Sequence, residues 1–179
     1  MTQSKTLANK ENRKKAILAS ALKCFLQFGY VKTSMDDVAK EANLSRPLIY
    51  LNFKNKEDLY IGVIEYLAEG RLEAADKVLA SKLVKKDKLF RIYEIFLLEP
   101  WEQIIGKPMS ADFYMTCKTL FLEISKKYKY QTLNCTQSVL VDEKISEIFM
   151  LAVEGLKSDI PDTKILRNRL LLLIDNFIH

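Results

Sequence analysis

Between Ser45 and Phe53 the chain sets Arg46, Leu48, Leu51 and Asn52 within about two helical turns. These side chains share one chemistry. A guanidinium matches the O6 and N7 acceptors of guanine, a carboxamide matches the N6/N7 edge of adenine, and an aliphatic group packs on the methyl of thymine. No comparable set for bond-making stands anywhere in the chain. The single histidine, His179, is the last residue, and the three cysteines, Cys24, Cys117 and Cys135, lack metal-ligand spacing. There is no glycine-rich phosphate loop and no nucleophile elbow. Neither an enzyme nor a metal site is expected. Buried reduced thiols are the simplest reading of the cysteines, with a redox sensor as the alternative.

The base-reading set needs a rigid mount, and the flanking residues supply one. Asn43-Leu44-Ser45 interrupts the helical pattern, and Asn is the non-glycine residue that best tolerates positive φ. Ser45 can cap a new helix, with Pro47 in its first turn. That helix is expected to run to Asn52 or Phe53. A shorter helix precedes it, opened by a capping box that fits Thr33/Asp36 or Ser34/Asp37 equally well. Met35, Val38, Ala39 and Ala42 give it an apolar face. Two short helices joined by a tight turn make a helix-turn-helix at about 34–53. Val38, Ala39, Leu44, Ile49 and Phe53 are placed to fix the angle between them. Arg46, Pro47, Leu48, Tyr50, Leu51 and Asn52 are left facing outward. Thr33 and Ser34, at the helix start, read as caps, as contacts to a nucleic-acid backbone, or as both.

Amphipathic helices flank this motif. Ile17, Leu18, Ala21, Leu22 and Phe25 form a stripe over 10–28, and Gly29 is suited to end it. Residues 1–9 read as a flexible tail. After the motif, Asn55 caps a helix expected to reach about residue 80, with Lys56 in its first turn. A cation there opposes the helix dipole, and a docked phosphate would reverse that penalty. The net charge of +5 is confined to one end: residues 1–60 hold 11 Lys/Arg against 6 Asp/Glu, and the remainder is balanced. A localised basic surface suits a polyanion.

The rest reads as helix throughout, because Gly (5) and Pro (4) are too scarce for many strand turns. Leu89, Ile92, Tyr93, Phe96 and Leu97 form a stripe broken at Glu99-Pro100-Trp101, where Pro100 suits the start of a short helix, and Gly106-Lys107-Pro108 breaks the chain again. Helices are expected at 110–129, 139–157 and 162–178, with a polar loop at 130–138. No apolar run approaches the roughly 20 residues of a membrane span, and the polar N-terminus has no secretory core, so a cytoplasmic protein with no membrane partner is expected.

Residues 13–60 resemble the TetR family of transcriptional regulators. The resemblance rests on Ile17-Leu18, Phe25, Gly29-Tyr30, Thr33-Ser34-Met35, Val38-Ala39, Ala42, Leu44-Ser45-Arg46, Ile49-Tyr50, Phe53 and Lys56-Glu57-Asp58-Leu59. It implies an all-α chain: a three-helix helix-turn-helix domain over 1–54, then a helical ligand-binding and dimerisation domain over 55–179. It implies that Tyr50 and Lys56 contact backbone phosphates of double-stranded DNA, and that a homodimer represses transcription from a palindromic operator. The last two helices would form the dimer seam, with Phe149, Leu166, Leu170, Leu173, Ile174 and Phe177 as candidates. A small apolar or aromatic effector would sit among Tyr66, Phe90, Tyr93, Phe96, Trp101, Phe113, Tyr114, Phe121 and Phe149. No cofactor is implied. The chain departs from the family pattern at Asn43, where Gly is usual, and at Leu51 and Asn52, where His and an aromatic residue are common, so its operator is its own. The other reading is a helical adaptor that has lost DNA binding, or a regulator with no small-molecule effector.

Overall fold

A computed structural model describes residues 2–178, with side chains from residue 9 onward. The described residues form eleven α-helices and no strand. Two compact units result. The first runs up to Leu67 and also takes Lys107–Phe121; the second holds Ala68–Gly106 and everything from Leu122 on.

The first unit contains α1 (Thr2–Lys32), α2 (Met35–Glu41), α3 (Arg46–Tyr50), nearly all of α4 (Lys56–Ala68) and, from later in the chain, α8 (Ser110–Thr119). A domain boundary at residue 54 therefore cuts through a folded unit. Leu59, Tyr60 and Val63 of α4 are fully buried in it, and so is most of Phe113 of α8. Tyr60 is the hub. Its ring lies 5.0 Å from that of Phe25, 5.2 Å from Tyr30, 5.1 Å from Phe113 and 4.6 Å from Phe121. Its hydroxyl donates to the Phe113 carbonyl at 2.6 Å, which satisfies the one polar atom of a buried ring.

The first helix begins at Thr2, well before the expected residue 10, since no Gly or Pro interrupts the chain before Gly29. Side chains of the tail expected at 1–9 lie outside the described residues, save Asn9, and so does His179. Gly29 leaves the helical region with φ 80 and ψ 166, and the chain kinks there before a last turn to Lys32. A side chain at Gly29 would place its Cβ 2.8 Å from Met109 Cε and 3.0 Å from Asp112 Oδ2. Bare backbone is what lets α8 close on this bend.

The second unit contains α5 (Arg71–Ala80), α6 (Lys85–Tyr93), α7 (Glu99–Ile104), α9 (Leu122–Leu140), α10 (Glu143–Leu156) and α11 (Thr163–Phe177). Its core includes Leu89, Ile92, Tyr93, Trp101, Phe149, Leu166, Leu170 and Ile174. Four expectations change here. The helix after Lys56 stops at Ala68, because Gly70 adopts the left-handed conformation with φ 74. Pro100 does not break the chain: a π-helical stretch, Glu94–Leu98, carries α6 into α7, with the Glu99 N–H reaching back to the Glu94 carbonyl. The helix expected at 110–129 is interrupted after Thr119, and α9 then runs straight through the polar stretch 130–138. Thr132, Thr136 and Ser138 each turn their hydroxyls onto the carbonyl four residues back, so the helix absorbs its own polar side chains. Cys135, Thr136 and Val139 supply the buried face. No described helix is long and apolar enough to cross a membrane.

Candidate nucleic-acid interface

The α2 helix opens on Ser34, not Thr33. The Ser34 hydroxyl accepts from the Asp37 N–H at 3.2 Å, and the Asp37 carboxylate accepts from the Ser34 N–H at 2.9 Å. The Ser34 hydroxyl also donates to that carboxylate, which holds Asp37 below the usual carboxylate range. Thr33 is buried, and its hydroxyl donates to the Gly29 carbonyl at 2.7 Å, with the Cys24 carbonyl 3.2 Å away. It fastens the end of α1 and presents nothing outward. That corrects its place among the expected contacts.

The turn between α2 and α3 closes with Asn43 at φ 52 and the Leu44 N–H on the Ala39 carbonyl. Ser45 sits at the N-cap position of α3 with an exposed side chain that makes no capping bond, and Pro47 stands in the first turn. Regular helix ends at Tyr50, but helical turns continue: the Phe53 N–H donates to the Ile49 carbonyl at 2.9 Å. Ile49 is fully buried while Leu51, two residues on, is 75% exposed. The α3 segment is thus clamped on one side and bare on the other. Ser45, Arg46, Pro47, Tyr50 and Leu51 form the bare side, and Leu48 is half-buried. Asn52 is half-buried too, and its amide donates to the Leu48 carbonyl at 2.7 Å. In this arrangement one N–H of its carboxamide is committed to its own helix.

Arg46 and Lys56 both have partners that the sequence did not reveal. The Arg46 guanidinium donates from Nη1 to Asp36 Oδ2 at 3.2 Å, and from Nη2 towards the Tyr50 hydroxyl at 3.4 Å. It lies 5.4 Å from the Tyr50 ring centroid. Lys56 Nζ donates to the Tyr30 carbonyl at 2.8 Å and the Val31 carbonyl at 3.1 Å, and sits 4.6 Å from the Tyr30 ring centroid. The cation that looked misplaced at the start of α4 neutralises the carbonyl end of α1. One of its three N–H donors remains free of these two carbonyls. Lys10, Arg13, Lys14, Lys32, Lys40 and Lys54 are also exposed on the same unit.

Residues 17–63 match the family described as bacterial regulatory proteins, tetR family. That match takes in the helix-turn-helix and the helices on either side of it, about a quarter of the chain. The chain is 41% identical to the uncharacterized HTH-type transcriptional regulator YhgD of Bacillus subtilis over 80 residues, which is 45% of this chain and 42% of that one. It spans less than half the length of the first curated relatives it matches. Solved TetR-like structures agree over nearly the whole chain. The multidrug binding protein EbrR, complexed with malachite green, superposes with a TM-score of 0.69 at 16% identity, covering 93% of this chain and 98% of that chain. SmeT, the repressor of the Stenotrophomonas maltophilia multidrug efflux pump SmeDEF, gives 0.70 at 14% identity, covering 92% and 88%. The TetR-like fold therefore extends through the second unit.

The effector and dimer candidates fare unevenly. Tyr66, Phe113, Tyr114 and Phe121 fall in the first unit, where Phe113 and Phe121 pack on Tyr60. Tyr93, Phe96 and Trp101 fall in the second. Tyr93 and Trp101 are buried with their polar ends satisfied, by the Thr136 hydroxyl at 2.9 Å and the Pro161 carbonyl at 2.8 Å. They are core residues; Phe90 and Phe96 are only half-buried. The sequence reading also passed over Arg71, whose half-buried guanidinium is pulled down to about 10 by burial, against the opposing pull of Glu99 and Tyr128. Of the expected dimer residues, Phe149, Leu166, Leu170 and Ile174 are fully buried within the single chain, and the Phe177 ring packs on Phe149 at 5.1 Å. The open apolar faces are different ones: Ile145, Ile148 and Leu151 on α10, and Ile165 and Leu172 on α11.

Proposed function

We propose that this chain is a DNA-binding transcriptional regulator that reads a pseudo-palindromic operator as a homodimer. One observation carries the reading: α3 has Ile49 locked inside while Arg46, Pro47, Tyr50 and Leu51 are exposed to solvent, in the basic N-terminal third of the chain and within a segment that matches the TetR family. A recognition helix presents its N-terminal residues to base edges in the major groove, and Arg46 and Pro47 are those residues. Tyr50 and the remaining N–H of Lys56 serve phosphates. Leu51 and half-buried Leu48 offer aliphatic contact to thymine.

The homodimer is supported by the apolar faces of α10 and α11, which the described residues leave exposed. A two-fold pair would bring two α3 helices to half-sites related by helical turns. Repression relieved by a small molecule is the mode of action we infer. SmeT is a repressor and EbrR a multidrug binding protein of the same fold, which supports this mode. An apolar or aromatic effector without a metal or organic cofactor fits the half-buried rings of Phe90 and Phe96. The matched relatives are transcriptional regulators, so the reading assigns no catalysis and a cytoplasmic location. A ligand would act by preferring a dimer geometry that DNA does not. The reading is tested by titrating duplex DNA at stepped salt concentrations. Binding that weakens steeply with salt yet discriminates between duplexes supports it, and binding without discrimination overturns it.

A further inference from the structure

Asp36 belongs to α2, ten residues before Arg46, and has no place in the helix cap; Asp37 fills that role. Its carboxylate instead meets the one arginine of the recognition segment. Oδ2 accepts a hydrogen bond from Arg46 Nη1 at 3.2 Å, and Oδ1 lies 3.1 Å from Nε. The Tyr50 hydroxyl stands 3.4 Å from Nη2. Oδ1 itself is shut off from solvent and accepts no hydrogen bond.

We propose that Asp36 is a positioning residue that makes Arg46 a reader of bases and not a general phosphate binder. The proposal rests on the DNA-binding reading above. Three physical arguments lead to it. First, the pair restrains a long side chain that is 60% exposed, so less rotamer freedom is lost when a base is engaged. Of five guanidinium N–H groups, one goes to Asp36 Oδ2, the Nε–H lies against Asp36 Oδ1 and one points at Tyr50, which leaves two for a base edge. Second, a carboxylate beside the guanidinium repels phosphate, which is present at every DNA sequence, and so lowers non-specific attraction most. Third, Oδ1 depends on the nearby guanidinium charge for want of any hydrogen bond. Pulling Arg46 away to a phosphate would give up this charge contact, at a cost limited by the 49% exposure of the Asp36 side chain, whereas a base reached with Arg46 still beside Asp36 would keep it. The pair is partly solvated, so the expected effect is modest and lies in discrimination more than in affinity.

The test uses the full chain and its preferred duplex, selected from a random pool. Each base pair of that duplex is then changed singly, and affinities are read by fluorescence anisotropy for wild type, Asp36→Asn, Arg46→Ala, the double variant and Asp36→Glu. Asp36→Asn should relax the preference about two- to fivefold. The loss should fall only at the base pair where Arg46→Ala also relaxes it. In the Arg46→Ala background the Asp36 change should have no positional effect, and Asp36→Glu should retain most of the discrimination. Tighter binding by Asp36→Asn that is uniform over all duplexes overturns the proposal, because it shows simple charge removal. Relaxation that persists without Arg46 also overturns it. Failure of the wild type to prefer any duplex is a separate outcome: it removes the DNA-binding reading, and this proposal with it. Should Asp36→Asn melt the fold, as circular dichroism would show, Asp36→Glu and the Arg46→Ala background decide the question by the same positional readout.

Discussion

Lys56 reaches back 26 residues in sequence to donate to the carbonyl of Tyr30 at 2.8 Å, which ties the first turn of α4 to the last turn of α1. The same ammonium keeps a donor for a phosphate. Lys56→Ala should therefore have two consequences. The slope of log affinity against log salt should flatten by about one unit. The melting temperature should also fall, since a cation at a helix carbonyl end contributes about 0.3–1 kcal/mol. Salt-stepped anisotropy and thermal melts separate them. A lowered melting point with an unchanged slope would leave Lys56 a purely structural clasp.

Gly29 stands at φ 80 with Met109 and Asp112 pressed against it. An alanine there meets a strained backbone and a contact of 2.8 Å at once. The Tyr30 N–H donates to Asp112 at 2.9 Å, so any shift loosens this bond as well. Gly29→Ala should cost about 1–3 kcal/mol, read as a lowered urea midpoint with an unchanged m-value. A neutral result would mean that the bend relaxes freely.

All three thiols are held above their usual range by burial, Cys24 and Cys117 to about 11. Acidic neighbours add to the shift at Cys24, through Glu41 and Asp37, and at Cys135, through Asp76. At Cys24 and Cys117 the thiolate is then scarce at neutral pH and rises only as pH climbs towards 11, and at Cys135 the shift runs the same way. Alkylation of the native protein at pH 7.5 should be much slower than that of the denatured chain, about tenfold or more. One fast cysteine in the native state would revive the redox-sensor reading.

The motif was legible in the sequence where its determinants are local. Ile49 and Phe53 fall inside because helical spacing puts them there, and Asn43 adopts the turn geometry its side chain permits. Thr33 and Ser34 offered two capping boxes of identical spacing, and only packing of the α1 terminus decides which hydroxyl is buried. The same limit hid Asp36 from Arg46 and Tyr30 from Lys56, since ten and 26 residues of separation carry no periodic signal. The recruitment of α8 into the first unit depends on Gly29 meeting Met109 and Asp112, a contact between distant segments. Stretch 130–138 looked like a loop because its residues are polar, yet its hydroxyls bond within the helix. The resemblance points to Phe149, Leu166, Leu170 and Ile174 as a seam, yet apolar residues on a helix mark burial without saying what buries them, and the single chain buries all four.

Leu151 on α10 and Leu172 on α11 are each 64% exposed, which makes them the better markers of a dimer surface. If the proposed homodimer uses this face, Leu151→Glu should be monomeric at micromolar concentration where the wild type is dimeric, seen by sedimentation, with its helical content preserved. Operator affinity should fall at least tenfold as the second half-site is lost. A variant that stays dimeric would place the seam elsewhere.

The role assigned to α3 is tested most directly by selecting the full chain against a pool of random DNA duplexes and sequencing the retained fraction. A pseudo-palindrome should emerge, with half-site centres separated by about one helical turn or a multiple of it, and Arg46→Ala should erase the preference at one symmetric pair of positions. Retained DNA with no shared sequence, or a preference untouched by Arg46→Ala and Leu51→Ala together, would contradict base reading by this helix.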